Sequence, residues 1–392
     1  MTKVRVGIVG VGNIGTAHAN TLFGGEVEGA ELGAVCDILP DRRKFCKETY
    51  TDVAVFDDYH KMFESGLIDA VIVSTPHKLH CDIAIDALKS GLNALVEKPV
   101  DITVSKARAI NEIANTTDKK FAIMFNQRTN DVFAKAREIV KSGALGELKR
   151  TVWIITNWYR TQRYYDSAGW RATWAGEGGG VLLNQAPHNL DLWQWICGMP
   201  SEVQANCEVG KYHNIEVEDD VMLTTRYENG ATGVFITSTG EFPGTNRLEI
   251  SGTLGKIVVE NGVLKWWKLP ESERDICFNA KDLFPSIKCE YEEYVTQNSN
   301  VSAHKLIIQN YVNAILYGEE LLSPGTDGIY ELSLSNAAYL SSWKGGEAIK
   351  LPLKTEEFDK LLNEKIKNSK TNDPTATKHA SGKYSKRWQV NW

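Results

Sequence analysis

The sequence of 392 residues predicts an α/β fold with two units. The first is an N-terminal doubly wound parallel sheet, and the second is a C-terminal α+β unit with a large, mostly antiparallel sheet that is open on one face. Three observations predict this fold. Short apolar runs alternate with amphipathic helical patterns over the first 125 residues. Longer runs of alternating polarity dominate after residue 146. A glycine-rich turn directly follows the first apolar run.

The first unit is expected to contain buried parallel strands, because each run is short and apolar almost throughout. These runs cover residues 4–9, 32–36, 70–74, 94–96 and 121–125. Amphipathic helical patterns lie between them at residues 16–23, 41–49, 78–89 and 104–115. Strand and helix repetition at this spacing is typical of a doubly wound sheet.

The second unit is expected to be mostly antiparallel. Its predicted strands cover residues 149–158, 221–227, 231–239, 246–251 and 256–260, and helical patterns return at 303–317 and 328–342. The turn Glu228-Asn229-Gly230 predicts a hairpin between two of the strands. The predicted boundaries are residues 1–126 for the first unit, 127–366 for the second, and 367–392 for a polar tail, which we expect to be an arm or disordered.

Composition argues against several classes of function. The formal net charge is -6 and no long run of Lys and Arg is present, so we expect no nucleic-acid partner. No apolar run reaches the roughly 20 residues that span a bilayer, so we expect no membrane segment. The seven cysteines are scattered without a Cys-x-x-Cys pair, which favours reduced thiols in the cytoplasm and argues against a metal site.

A glycine fingerprint predicts a dinucleotide site. It reads Gly10-Val11-Gly12-Asn13-Ile14-Gly15, follows the first strand and opens a helix. The first glycine permits a tight turn, the second lets a pyrophosphate approach the backbone, and the third allows close packing of helix on strand. The phosphates would meet free N–H groups at the helix start. Asp37 ends the next strand and could accept from the ribose hydroxyls of NAD, whereas Arg42 and Arg43 leave NADP open.

The segment Ser74-Thr75-Pro76 follows the third predicted strand. We expect it to reach the cofactor, because ligands of doubly wound sheets lie at the carboxyl ends of the strands. His77, His80 and Cys81 come next. Their location between loop and helix, without a further clustered ligand, argues against a metal site. His80 is instead expected to pack or hydrogen-bond at the cofactor.

Glu97 and Lys98 end the next predicted strand. Burial beside an oxidised nicotinamide, which is positively charged, would lower the pKa of Lys98 and suit it to proton relay with a substrate hydroxyl. Most lysines are solvated surface charges, and it is the position at the end of a strand that favours a functional role here.

His188 follows Pro187, which suits the first turn of a helix. The positive end of the helix dipole would lower the pKa of the imidazolium and keep a neutral base. Asp191 lies three residues on, shares the helix face and is expected to orient the ring. The alternative is a core histidine whose hydrogen bonds are satisfied.

The segment 157–165 interleaves aromatic and polar side chains, among them Tyr159, Arg160 and Tyr164. Rings can cover the apolar faces of a sugar while side-chain donors meet its hydroxyls, so these residues are predicted to line a substrate pocket. The alternative is a surface loop that packs on the sheet or on a neighbouring subunit. The arginines also make an acidic or phosphorylated sugar a candidate substrate.

Together these motifs resemble the Gfo/Idh/MocA family (glucose-fructose oxidoreductase, inositol dehydrogenase and rhizopine catabolism proteins) over residues 3–365. The matching motifs are Gly10-x-Gly12-x-x-Gly15, Thr75-Pro76-x-x-x-His80, Glu97-Lys98-Pro99, Gly169-Trp170-Arg171, the glycine run with His188-x-x-Asp191, and Pro324-Gly325-x-Asp327-Gly328. The resemblance implies an N-terminal Rossmann domain, a C-terminal domain whose open sheet makes subunit contacts, and a homodimer or homotetramer.

The resemblance also implies NAD(P)-dependent oxidation or reduction of a secondary alcohol on a sugar or cyclitol. Lys98 would assist proton transfer at the substrate oxygen, and His188 would act as acid and base. Further side chains expected near the cofactor are Glu97, Asn126, Trp170 and Arg171, and further ones expected near the substrate are Arg128 and Asn184.

Two departures from the family pattern matter. Many members have Asp four residues before the catalytic histidine, where this chain has Asn184. An amide can hold a hydroxyl but cannot take a proton, so the relay is reduced to Lys98 and His188. His77 stands where Asn is common, which leaves the details of the cofactor contact open.

The predicted function is an NAD(P)-dependent dehydrogenase or reductase of a sugar, sugar derivative or inositol. Two alternatives stay open. One is a redox-neutral glycoside-processing enzyme with tightly bound NAD. The other is a non-enzymatic NAD or sugar sensor, against which the presence of both Lys98 and His188 argues.

Overall fold

The computed structural model describes residues 3–297 and 302–370. The strands in these ranges are β1 Val4–Val9, β2 Ala30–Cys36, β3 Ala54–Phe56, β4 Ala70–Val73, β5 Asn93–Val96, β6 Phe121–Ile123, β7 Leu148–Ile155, β8 Glu202–Val209, β9 Glu218–Arg226, β10 Thr232–Ser238, β11 Asn246–Gly252, β12 Gly255–Glu260, β13 Val263–Lys268, β14 Glu290–Val295 and β15 Ile349–Lys350. The α-helices are α1 Asn13–Phe23, α2 Pro40–Thr49, α3 Tyr59–Glu64, α4 His80–Lys89, α5 Val104–Ala114, α6 Asp131–Lys141, α7 Gln162–Tyr165, α8 Val181–Asn184, α9 Pro187–Cys197, α10 Glu273–Asn279, α11 Ala303–Tyr317, α12 Gly328–Trp343 and α13 Thr355–Lys367.

The first sheet has six parallel strands in the order β3-β2-β1-β4-β5-β6. This order confirms the predicted doubly wound sheet. The order of the strands reverses between β1 and β4, and in such sheets the ligand crevice lies at the carboxyl ends of these two strands. Two predicted motifs follow these strands: the glycine fingerprint after β1 and the Thr75-Pro76 turn after β4.

The second sheet has nine strands in the order β14-β13-β12-β11-β7-β10-β9-β8-β15. Its pairs are antiparallel except for β7 and β10, which run parallel with Val152 opposite Val234. The predicted hairpin is confirmed: Thr232 pairs with Arg226, and Gly230 at the turn has a φ of +85°, where glycine is favoured.

One face of the second sheet is packed and the other is open. Helices α9 and α12 lie on the packed face, where the Trp193 ring contacts Phe235 at a centroid distance of 5.4 Å. Strand β9 shows the contrast between the faces, because Leu223 is buried whereas Met222 is 57% exposed. The predicted open-faced sheet is therefore confirmed.

Helix α11 returns to the first sheet, although the predicted boundaries assign it to the second unit. Its apolar side chains Ile307, Ile308 and Tyr311 belong to the same buried cluster as Val6 of β1. The first sheet is thus completed by a segment that lies far away in sequence.

The described part of the predicted tail is anchored. The backbone N–H of Lys370 donates to Glu216 Oε2 at 2.9 Å, and the Ser369 hydroxyl also contacts this carboxylate. Residues 371–392 of the tail lie outside the described residues. Over residues 3–297 and 302–370, none of the helices is long and apolar enough to cross a bilayer.

Candidate active site

The glycine fingerprint forms a tight turn between β1 and α1. Gly10 has a φ of +86°, and a Cβ there would lie 2.8 Å from the Ser74 carbonyl oxygen. A Cβ at Gly15 would overlap the Gly10 carbonyl, whereas a Cβ at Gly12 would meet no protein atom within 4 Å. Contacts within the protein therefore account for two of the glycines, and Gly12 borders open space, as expected where a ligand approaches the backbone.

Helix α1 starts at this turn and is suited to bind an anion. Its N-cap is Gly12, which offers no side-chain cap, so the N–H groups of Asn13, Ile14 and their neighbours point out of the helix start. The turn and the helix start together fit the pyrophosphate of a dinucleotide.

Asp37 and Arg42 both lie against the fingerprint. The Asp37 carboxylate accepts from the backbone N–H groups of Val11 at 2.8 Å and Leu39 at 2.9 Å. The Arg42 guanidinium donates to the Val11 carbonyl at 2.6 Å and to the Thr16 hydroxyl at 2.7 Å. The edge of the crevice after β2 thus presents a carboxylate, while the guanidinium is engaged by the turn itself.

The loop after β4 is braced by His80. One ring nitrogen of this buried histidine lies 2.8 Å from the Pro99 carbonyl oxygen and the other 2.7 Å from that of Thr75. His80 therefore joins the Thr75-Pro76 turn to the segment that carries Lys98. The Ser74 hydroxyl donates to the Gly10 carbonyl at 2.8 Å, and the buried Thr75 hydroxyl has no hydrogen-bond partner among the described residues.

Lys98, Asn184 and His188 meet at the carboxyl end of β5, although about ninety residues separate Lys98 from the other two. The Lys98 ammonium donates to the Asn184 backbone carbonyl at 2.8 Å. Burial lowers the pKa of Lys98, and the charges of Glu97, Glu331 and Glu177 oppose that shift.

His188 lies in the first turn of α9, directly after Pro187 at the helix start. The imidazole is 6% exposed, and burial followed by the charges of Lys98 and His304 lowers its pKa well below the usual value. The ring is therefore neutral. Its Nδ1 atom is buried without a hydrogen-bond partner among the described residues, so the interpretation as a satisfied core histidine does not apply.

The prediction that Asp191 orients His188 is wrong. The Asp191 carboxylate accepts two hydrogen bonds from Arg128, at 2.7 and 2.9 Å, and one from Gln194. The physical reason is charge: a buried carboxylate pairs with a buried guanidinium in preference to a neutral ring.

Arg128 lies in the 3-10 turn Asn126–Thr129 and is buried behind the site. A third hydrogen bond, at 2.7 Å, joins it to Asp327. Its guanidinium thus links α9 to the start of α12 through two carboxylates. The guanidinium of Arg128 is therefore a paired cation.

A second charged cluster lies next to Lys98. The Glu97 carboxylate contacts His18 Nε2 at 2.8 Å, and the His18 and His304 rings lie 5.8 Å apart. Burial alone would raise the pKa of Glu97, but the contact with His18, together with the nearby His304 and Lys98, lowers it to about 2. Asn126 donates to the His304 ring at 3.3 Å. No motif in the sequence marks His18 or His304, because only the fold brings α1 and α11 together.

Glu177 is a site residue that the sequence analysis missed. Its buried carboxylate accepts from the Asn184 side-chain amide and from the Ala172 backbone N–H at 2.6 Å. His77 Nδ1 lies 3.2 Å from the Glu177 carbonyl oxygen. The sequence did contain a signal for Glu177, because this acidic residue lies inside a glycine run. Such a run predicts a tightly packed backbone, and a carboxylate buried there needs a hydrogen-bond donor or a cation as partner.

Aromatic rings and guanidinium groups form the outer wall. The Arg171 guanidinium donates to the Tyr164 hydroxyl at 2.8 Å and lies 4.6 Å from the centre of the Trp170 ring. The Arg160 guanidinium lies over the Tyr164 ring at 5.3 Å. Tyr159 is 45% exposed. The structure thus brings the predicted aromatic segment and the Trp170-Arg171 motif together.

The fold and the site define a dinucleotide-binding oxidoreductase. Residues 4–125 match the model of the oxidoreductase family with an NAD-binding Rossmann fold, and residues 133–258 match that of the GFO/IDH/MocA C-terminal domain. The chain belongs to the Gfo/Idh/MocA family of oxidoreductases, and its N-terminal domain is an NAD-binding Rossmann domain.

Two curated proteins that are similar to this chain bear different names. The myo-inositol 2-dehydrogenase of Thermotoga maritima is 28% identical over 266 residues, which is 66% of this chain and 75% of that protein. An α-N-acetylgalactosaminidase of Shewanella oneidensis is 28% identical over 255 residues, which is 62% of this chain and 51% of that protein.

Among solved structures, the WlbA dehydrogenase of Chromobacterium violaceum in complex with NADH and UDP-GlcNAcA is similar to this chain. It is 26% identical with a TM-score of 0.76, and the match covers 90% of this chain and 97% of that one.

Proposed function

We propose that this protein is an NAD-dependent dehydrogenase or reductase that acts on a secondary alcohol of a sugar, sugar derivative or inositol. The observation that carries the proposal is the meeting of Lys98 and His188 beside the dinucleotide crevice. The Lys98 ammonium group is half-buried and the His188 imidazole is neutral, and they are close enough for the charge of Lys98 to lower the pKa of His188. Two such groups can transfer the proton to and from a substrate hydroxyl.

NAD, when bound, supplies the acceptor or donor of the hydride. The residues of the chain manage the proton and the position of the alcohol. Lys98 is held by the Asn184 carbonyl and presents its remaining N–H groups to the substrate oxygen. The Nδ1 atom of His188 has no hydrogen-bond partner among the described residues, so one ring nitrogen is available. It can therefore take the proton in oxidation and return it in reduction.

The support for NAD rather than NADP comes from the edge of the crevice. Asp37 presents a carboxylate there, which suits ribose hydroxyls and repels a 2′-phosphate. Arg42, the predicted phosphate contact, already donates to Val11 and Thr16. We therefore propose that the enzyme prefers NAD.

The proposed substrate contacts are Lys98, Asn184 and His188, with Tyr159, Arg160 and Tyr164 around the sugar ring. We remove Arg128 from the substrate contacts proposed from the sequence, since two carboxylates already hold it. Apart from Arg42, which the turn already engages, the proposed cofactor contacts are those expected from the sequence, namely the fingerprint, Asp37, the segment from Ser74 to Pro76, His80, Glu97, Lys98, Asn126, Trp170 and Arg171.

The test is NADH or NADPH formation with inositols, aldoses, uronic acids and simple glycosides. Lys98→Ala should lower turnover by about 10²–10⁴-fold, the usual size of a general acid–base contribution, while NAD still binds. Lys106→Ala is the matched control, because Lys106 pairs with Asp82 at the surface. Unchanged turnover in Lys98→Ala would overturn the proposal.

The relative from Shewanella oneidensis supports a second candidate, a redox-neutral enzyme that acts on glycosides. Cleavage of a glycoside without net NADH, by protein that retains NAD after purification, would favour it. If protein that still binds NAD forms no NADH or NADPH with any compound of the panel, the redox-neutral enzyme or the sensor is favoured, and the absence of glycoside cleavage as well would favour the sensor.

We also propose that the open face of the second sheet is covered by another copy of the chain in a homodimer or homotetramer. The exposure of Met222 on that face supports this assembly. Light scattering after size exclusion measures it, and a monomer would contradict it.

A further inference from the structure

Asn184 contacts both Lys98 and Glu177, and Glu177 is the buried member of the three. Its carboxylate is 1% exposed. One oxygen, Oε2, accepts from the Ala172 backbone N–H at 2.6 Å, and the other, Oε1, accepts from the Asn184 Nδ2 group. Arg171 lies 3.8 Å from Oε1. Each of these three contacts brings a hydrogen-bond donor or a cation to the carboxylate.

The contact with Glu177 sets the orientation of the Asn184 amide. A side-chain amide has a donor end and an acceptor end, and only the donor end can face an ionised carboxylate. With Nδ2 on Glu177, the acceptor Oδ1 lies on the opposite side of the carboxamide. The Asn184 backbone carbonyl meanwhile accepts from Lys98 at 2.8 Å. One residue thus connects Glu177 to the ammonium group.

Glu177 also acts on Lys98 through its charge. Burial lowers the pKa of Lys98, and the carboxylates of Glu97, Glu331 and Glu177 raise it, while Arg160 lowers it further. In turn, burial raises the pKa of Glu177, and Arg171 and Lys98 are the charged groups that oppose this. Loss of the Glu177 charge would therefore lower the pKa of Lys98.

We propose that Glu177 is a positioning residue for hydride transfer: it fixes the Asn184 amide with its acceptor end free for a substrate hydroxyl, and it stabilises the Lys98 ammonium group. The inference rests on the proposed function. Glu177 does not touch the substrate, and its effect is transmitted through Asn184 and Lys98.

Three variants test the orientation. In Glu177→Gln, the side-chain oxygen must still accept from Ala172, so the NH2 group faces Asn184 and forces that amide to turn over. In Asn184→Asp, two carboxylates meet and cannot both be ionised. In the double variant Glu177→Gln/Asn184→Asp, the new NH2 group donates to the new carboxylate, and every donor again has an acceptor.

We expect each single variant to lower kcat by about 10–100-fold with little change in KM, a size typical of a misplaced catalytic contact. Asn184→Asp should regain activity towards low pH, where one carboxyl holds a proton. The double variant should exceed both single variants by at least about tenfold. Glu216→Gln is the control: Glu216 accepts from the Trp174 N–H in the same loop without touching Asn184, so its pH profile should match the wild type.

A second measurement does not need turnover. The pH dependence of chemical labelling of the Lys98 amine, read by mass spectrometry in the NAD-free protein, should move to lower pH in Glu177→Gln and stay in place in Glu216→Gln. If wild-type protein shows no turnover with any substrate, the proposed function fails, and the labelling still decides whether Glu177 acts on Lys98. A double variant no better than the single ones, or unshifted labelling, would overturn the inference.

Discussion

The variant Arg128→Ala tests whether this arginine stabilises the fold or binds the substrate, as the sequence predicts. Loss of stability would indicate the first role, and a raised substrate KM without loss of stability would indicate the second. The Arg128 and Asp191 side chains are each 1% exposed and joined by two hydrogen bonds at 2.7 and 2.9 Å. Removal of the guanidinium leaves the Asp191 carboxylate buried without its counter-charge, which costs about 3–5 kcal/mol. The pair with Asp327, which is 27% exposed, adds no more than about 1 kcal/mol.

The assay is urea unfolding followed by tryptophan fluorescence, together with steady-state kinetics. Arg247→Ala serves as the control, because the exposed pairs of Arg247 with Glu249 and Glu260 predict a loss of about 1 kcal/mol or less. A free energy of unfolding for Arg128→Ala within about 1 kcal/mol of the wild type, combined with a raised substrate KM, would refute the structural assignment.

Three further predictions concern the crevice and the core. Gly12→Ala should change the free energy of unfolding by less than about 0.5 kcal/mol, yet weaken NAD binding in calorimetry. Gly15→Ala should instead lower the free energy of unfolding by about 1–3 kcal/mol, because its Cβ meets the Gly10 carbonyl. Equal effects of the two variants on stability and on NAD binding would contradict the fit of the pyrophosphate at Gly12. Asp37→Ala should weaken NAD binding more than NADP binding, and an equal loss would count against a ribose contact. Burial raises the pKa of Asp101 from 3.8 to about 7. Between these two pH values the folded state keeps a proton that the unfolded state loses. The contribution of Asp101 to stability should therefore fall by up to about 1.4 kcal/mol per pH unit as the pH rises from about 4 to about 7. Asp101→Asn should make the fall in stability less steep than in the wild type over this pH range in urea unfolding, while Glu218, whose pKa burial also raises to about 7, keeps its own contribution. A slope identical to that of the wild type would contradict the assignment.

The sequence predicted most of the two sheets because their central strands are buried on one or both faces. Five strands were missed, namely β3, β8, β13, β14 and β15, and in β3 and β14 this signal is absent. In β14, Glu290–Val295, almost every side chain is exposed, and β3, Ala54–Phe56, is short and only half-buried. Pairing with a neighbouring strand, which a local pattern does not contain, defines both.

The site was predicted where a motif marks the end of an element. Lys98 at the end of β5 and His188 at the start of α9 are two such positions, and the structure brings them together. The partner of Asp191 was wrong because Arg128 lies 63 residues away and no local pattern favours this pair over His188. Glu177 was missed for the same reason: its role depends on the fold of the glycine run around Asn184.

The most direct test of the central claim uses a sugar or inositol substrate with deuterium on the carbon of the reacting alcohol. After reaction with NAD, mass spectrometry of the cofactor measures where the deuterium has gone. Our account predicts one deuterium in the NADH for each ketone formed, and a rate of this transfer about 10²–10⁴-fold lower in Lys98→Ala. Substrate turnover that leaves no deuterium in the cofactor, or transfer at an unchanged rate in Lys98→Ala, would contradict it.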